Sequence, residues 1–112
     1  MPKKDVDQII NGLDDKIVDI VGQFVKRRRD SYEKAAKQLK ESLRADVKRY
    51  AELLENDKIS GEDFEHLVRG RSAQLKIEVL AEASINKSKF DLVSNQLVGV
   101  LIKSSIDIIK SA

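Results

Sequence analysis

The chain has 112 residues, of which 41% are hydrophobic, 36% charged and 4% aromatic, and it contains no cysteine. One domain of this size has enough apolar material for a core, so an intrinsically disordered chain is excluded, as are disulfides and thiolate metal sites. The longest apolar run is far shorter than the roughly 20 residues of a membrane span. We therefore expect one all-α domain over residues 1–112, located in the cytoplasm, with no transmembrane segment.

The first predicted element is a long helix over about residues 5–56. Its apolar residues recur every three or four positions, which is the spacing of one helix face. This stripe consists of Val6, Ile10, Leu13, Ile17, Ile20, Phe24, Tyr32, Ala35, Leu39, Leu43, Val47, Tyr50 and Leu54. A continuous helix of this length extends roughly 75 Å, too far for the rest of the chain to cover. We therefore expect a coiled-coil-like helical bundle completed by oligomerisation, with a homodimer favoured.

The same stretch also admits a kink or break near residues 29–31. Asp30 and Glu33 have the spacing of a capping box, and a break there gives a single-chain four-helix bundle. However, residues 26–31 contain no Gly or Pro, and the four-residue apolar step continues from Phe24 through position 28 to Tyr32. The sequence favours the continuous helix and keeps the four-helix bundle as the alternative.

A continuous helix would place charged residues within its own apolar stripe. Arg28 takes the angular position of Phe24 and Tyr32, and Asp46 lies in the stripe further along. Since a buried charge is costly unless it is paired, Arg28 either extends to the solvent edge or meets Asp46 of a second chain in an antiparallel dimer. The candidate oligomer seam consists of Ile10, Leu13, Ile17, Phe24, Arg28, Tyr32, Leu39 and Asp46.

Two shorter helices are predicted after residue 56. Ser60 and Asp63 have capping-box spacing and predict a helix over about 61–85. A second apolar row on this helix predicts contact from two sides; its members are Ala73, Ile77 and Leu80. The last helix, about 89–111, is apolar around most of its circumference, so we expect it to lie at the centre of the fold.

Residues 26–49 form a basic segment with ten Lys/Arg against four Asp/Glu, a net charge of +6. Clustered cations on one face are what binding to a phosphate backbone requires. However, acidic residues lie four positions from several of these cations, and no aromatic residue alternates with them to stack on bases. The candidate polyanion contacts are Lys26, Arg27, Arg29, Lys37, Lys40, Arg44 and Lys48.

Features of a catalytic or metal site are sparse in this sequence. His66 is the only histidine, and it shares a helix face with Glu62 and Asp63. A carboxylate-bridged metal bundle needs two such motifs and further carboxylates, and no Ser or Cys has a diagnostic spacing from His66. We therefore predict no enzymatic activity, no cofactor and no metal.

These observations predict a non-catalytic helical protein that acts through protein–protein interaction, as a scaffold and a homo-oligomer. The alternative is a polyanion-binding or nucleic-acid-binding accessory protein that uses the basic segment. A small immunity-like or chaperone-like protein that binds another protein is a further alternative.

Overall fold

The connection between the first two helices decides the architecture. In the computed structural model, which describes residues 6–110, α1 spans Val6–Phe24 and α2 spans Arg29–Glu55. Residues 25–28 connect them, and Arg28 has a left-handed backbone with φ of 60°. The uninterrupted helix over 5–56 is therefore wrong, and the break lies slightly before the predicted position of 29–31. The all-α class is confirmed, and the chain forms the single-chain four-helix bundle.

Burial of the apolar stripe explains why the helix breaks at residues that favour helix formation. Helix propensities differ by less than about 1 kcal/mol per residue, whereas full burial of one aliphatic side chain contributes about 1.5–3 kcal/mol. Folding α2 back along α1 removes both halves of the apolar stripe from water, and Ile10, Ile17 and Leu39 are fully buried. The Arg29 Nε donates a hydrogen bond to the Val25 carbonyl at 3.0 Å, which satisfies one backbone acceptor at the break.

The second half of the bundle begins at a well-formed cap. Helix α3 spans Gly61–Glu82, and the Ser60 hydroxyl accepts from the Asp63 amide at 3.0 Å while the Ser60 amide donates to the Asp63 carboxylate at 3.1 Å. The predicted capping box is confirmed. Helix α4 spans Lys87–Lys110, and its first turn is capped by the Asn86 side chain, which accepts from the Lys89 amide. The predicted outer helix ends at residues 5 and 111 lie outside the described residues.

The four helices pack in a ring. Over residues 6–110 every pair of helices is in contact except α1 and α3, which lie diagonally opposite each other. Helices α2 and α4 each touch the other three helices, so the central position expected for α4 from its apolar circumference is wrong: in a ring of four helices no single helix is enclosed by the others. The α1–α2 and α3–α4 connections lie at one end of the bundle, and the α2–α3 connection lies at the other; the Cα atoms span 44 × 24 × 18 Å.

The predicted oligomer seam is mostly used inside one chain. Its fully buried members are Ile10, Leu13, Ile17, Tyr32 and Leu39. Phe24 is half-buried and packs against the core, whereas Arg28 is exposed. Asp46 pairs with Arg71 of α3 at 2.8 Å. The inference that this stripe needs a second chain was therefore wrong, and so was the premise of an Arg28–Asp46 pair between chains.

Helix α4 also bears on the expectation that no segment crosses a membrane. By length and composition it is apolar enough to span one, and 44% of its most apolar window is buried within the bundle. The core helix of a water-soluble bundle has the same properties, so this finding is weak evidence in either direction.

Candidate functional site

Three of the predicted polyanion contacts on α2 are paired with acidic residues of α1. Lys40 bonds to Asp14, Arg44 lies 2.8 Å from Asp7, and Lys48 lies 2.9 Å from the other Asp7 oxygen. These contacts recur at four-residue steps along α2 because residues four apart share a helix face. We call this set of contacts between the two helices the α1–α2 ion-pair ladder.

The cations of the ladder lower the pKa of two carboxyl groups, Glu41 of α2 and Asp7 of α1. A hydrogen bond from Arg44, followed by one from Lys40, lowers the pKa of Glu41 to about 2. Hydrogen bonds from Lys48 and then Arg44 lower the pKa of Asp7 below its usual value. In both cases the cations stabilise the charged carboxylate, so these groups remain ionised in the folded protein well into the acid range.

The ladder changes what three of the predicted polyanion contacts do. The Lys40 side chain is only 3% exposed, and its ammonium lies 3.2 Å from Glu41 in addition to contacting Asp14. Arg44 is three-quarters buried and bonds to three side chains. Lys40 is therefore inaccessible to a polyanion, and the charges of Arg44 and Lys48 are already compensated within the chain.

The other four predicted contacts remain in solvent. These are Lys26, Arg27, Arg29 and Lys37. Arg28 and Lys34 are also exposed, so residues 26–37 present six cations against Asp30 and Glu33, a net charge of +4. The interleaved acidic residues, which sequence spacing pairs with Lys34 and Lys37, form no ion pairs among the described residues. We call residues 26–37 the basic end of the bundle.

A cleft of about 310 Å³ opens beside the basic end. It lies between the first turns of α2 and the start of the α3–α4 connection. Its lining residues are Arg28, Ser31, Lys34, Ala35, Gln38, Glu82, Ala83 and Ser84. The Gln38 amide donates to the Glu82 carboxylate at 3.3 Å, which leaves two cations and two hydroxyl groups as the other polar groups of the wall.

The outward side of α3 forms a second distinctive surface. Gly70, Ala73, Ile77 and Ala81 are all exposed, and Ile77 is 69% exposed. At 3.6 residues per turn these four positions fall within an arc of roughly 80°, opposite the buried side of the helix. We call these four residues the outer face of α3; it is uncharged, in a chain in which 36% of residues are charged.

Residues 6–110 contain no group of three or more His, Cys, Asp or Glu side chains that could hold a metal ion. His66 is exposed at the start of α3, and Asp63 serves the helix cap beside it. The hydrogen bond from the Ser60 backbone is the main reason that the pKa of Asp63 is lowered.

Sequence reasoning missed two parts of these surfaces. The first is the pairing of Asp7 and Asp14 with cations of α2, which depends on α1 lying against α2. The net charges of −2 for residues 1–25 and +6 for residues 26–49 could have indicated this pairing. The second is the cleft, which is lined by residues about 50 positions apart, so no local sequence pattern predicts it. The outer face of α3 was partly visible in the second row through Ala73 and Ile77.

Three comparisons with known proteins, against family models, curated proteins and solved structures, find no match.

Proposed function

We propose that this chain is a non-catalytic interaction protein that forms a homodimer through the outer face of α3. The observation that carries the proposal is the exposure of Ile77 in the middle of an uncharged helix face. Contiguous apolar surface that the bundle itself does not cover is typical of protein–protein contact, and the exposed Ala73 and Ala81 extend the apolar surface around Ile77. The homodimer expected from the sequence is thus retained, but its interface moves from the α1–α2 stripe to α3.

The outer face of α3 is complementary to itself. Ile77 projects from the surface, whereas a Cβ added at Gly70 would have no heavy atom within 4 Å. The two positions are seven residues apart, close to two helical turns. In an antiparallel pair with its two-fold axis between residues 73 and 74, each Ile77 lies over the partner's Gly70. A two-fold interface requires this reciprocity, in which one residue meets another and the reverse contact also forms.

Charge supports the same antiparallel orientation. Residues 52–65, at the end of the bundle that contains the α2–α3 connection, carry six Asp/Glu against one Lys, a net charge of −5. The basic end carries +4 at the opposite end. An antiparallel dimer places each acidic end beside the partner's basic end, whereas a parallel dimer would align like charges.

Sedimentation equilibrium over a concentration series tests the proposal. A contact made mainly by one helix is smaller than a stable interface of about 1,600 Å², so we expect reversible dimerisation with a Kd of roughly micromolar order. Ile77→Asp should abolish the dimer because it buries an unpaired carboxylate at the centre of the contact. Leu92→Asp is the matched control, since Leu92 of α4 is 50% exposed but lies outside the outer face of α3.

A residue exchange tests the register itself. Gly70→Ile and Ile77→Gly should each weaken the dimer, and the double variant should restore it because the exchanged residues still face each other. Loss of association in both single variants without recovery in the double variant would contradict the antiparallel register. A chain that stays monomeric alone and is captured with a different protein through Ile77 would instead support the immunity-like or chaperone-like alternative.

A further inference from the structure

The basic end differs from the rest of the basic segment in that its charge is not neutralised by ion pairs among the described residues. Lys26, Arg27, Arg28, Lys34 and Lys37 are exposed and form no ion pair among the described residues. Lys40, Arg44 and Lys48, further along the same helix, are matched by the ladder. The fold thus separates a basic segment that looked uniform in the sequence into a compensated part and a free part.

We propose that the basic end binds the sugar–phosphate backbone of nucleic acid. Cations that have no ion-pair partner among residues 6–110 can displace the counterions of a phosphate backbone without first giving up one of the ion pairs that the structure describes. Arg29, Lys34 and Lys37 lie along roughly 12 Å of α2, the length of three to four nucleotide steps at 3.4 Å per strand, with Asp30 and Glu33 between them. The basic end therefore fits a row of phosphates better than a single anion.

The cleft supplies the polar groups that would hold one phosphate of this row. Arg28 and Lys34 provide positive charge, and the hydroxyl groups of Ser31 and Ser84 can donate hydrogen bonds to phosphate oxygens. Glu82 also lines the cleft and accepts a hydrogen bond from the Gln38 amide, so the lining carries two cations against one carboxylate. The volume of about 310 Å³ is large enough for a phosphate together with its sugar.

The composition of the basic end indicates binding without sequence preference. No aromatic side chain is exposed among residues 26–37, since Tyr32 is 5% exposed and belongs to the core. Base stacking and base-edge recognition therefore have no evident platform there. Three neutralised phosphates predict a slope of about −3 for log K against log salt, and a non-specific Kd of about 10⁻⁴–10⁻⁶ M at physiological salt.

Fluorescence anisotropy with a short mixed-sequence duplex DNA tests this proposal. The double variant Arg28→Glu/Lys34→Glu should weaken binding at least tenfold and flatten the salt dependence. Lys58→Glu/Lys103→Glu is the matched control, because it makes the same change in net charge at two exposed lysines outside the basic end. Arg27→Glu/Lys37→Glu provides a second test in case the first variant fails to fold.

Strong loss in the basic-end variants with near-normal binding by the control supports the proposal. Equal loss of affinity in the basic-end variants and the control would overturn it, because net charge alone would then explain binding. Absence of binding by the unmodified protein at about 50 mM salt, where electrostatic affinity is high, would exclude nucleic acid as the ligand. Binding to anionic lipid vesicles without binding to the duplex would likewise overturn it.

Discussion

Replacing Arg28 by glycine should make this protein more stable. Arg28 has φ of 60°, and the left-handed conformation costs a residue with a Cβ about 1–2 kcal/mol, whereas glycine adopts it freely. Glycine also gives the unfolded chain more conformational entropy, which offsets about 0.5–1 kcal/mol of that gain. The Arg28 side chain is exposed and forms no ion pair or hydrogen bond among the described residues, so its removal breaks no polar contact of that side chain. The expected net gain is about 0.5–1 kcal/mol.

Thermal and urea denaturation followed by circular dichroism measure this gain. For a domain of this size, 1 kcal/mol corresponds to about 4 °C in Tm. Arg27→Gly is the control: Arg27 is also exposed but lacks a positive φ, so glycine there should lower stability slightly. Suppose that Arg28→Gly leaves the free energy of unfolding unchanged or lowers it, while Arg27→Gly lowers it slightly as expected. The left-handed backbone at Arg28 would then cost no stability, and the reasoning would be refuted.

Two further predictions concern contacts between helices. A hydrogen bond from Arg44 lowers the pKa of Glu41 to about 2, so the unfolded chain binds more protons than the folded chain between about pH 4.5 and 2. The free energy of unfolding should therefore fall as the pH falls through this window. Urea denaturation at a series of pH values should show a weaker dependence of this free energy on pH in Arg44→Met. Tyr32→Phe should cost about 1 kcal/mol in urea unfolding, since the Asn86 amide loses its acceptor at 2.9 Å. Tyr50→Phe, whose hydroxyl makes no hydrogen bond among the described residues, should be nearly neutral.

The sequence predicted those parts of the fold that depend on local chemistry. The capping box at Ser60 involves residues three apart, and it forms as its spacing indicates. The break at 25–28 does not depend on local chemistry, because the residues there are good helix formers and the apolar phase crosses them. The break forms because it lets α1 pack against α2 and α4 in the core. This tertiary stabilisation cannot be read from the helical periodicity of the sequence.

The same distinction applies to the candidate surfaces. Helical phase correctly placed Lys40, Arg44 and Lys48 on one face of α2, but it did not say which helix would lie against that face. Once α1 is there, Asp7 and Asp14 turn a candidate ligand surface into an internal ion-pair ladder. Residues 26–29 escape this pairing because they lie at or beyond the end of α1, where no acidic face runs beside them.

Arg28 links the stability and binding hypotheses. A glycine would serve the backbone better at this position, and the arginine side chain contributes no internal pairing among the described residues. Residues with strained backbone conformations cluster at functional sites, and the Arg28 side chain lines the cleft at the basic end. Arg28→Gly should therefore raise Tm and weaken binding to duplex DNA in the same protein. If Arg28→Gly gains stability without losing affinity for DNA, the strain at this position is unrelated to binding. The phosphate contact would then be made by Lys34 and its neighbours instead of Arg28.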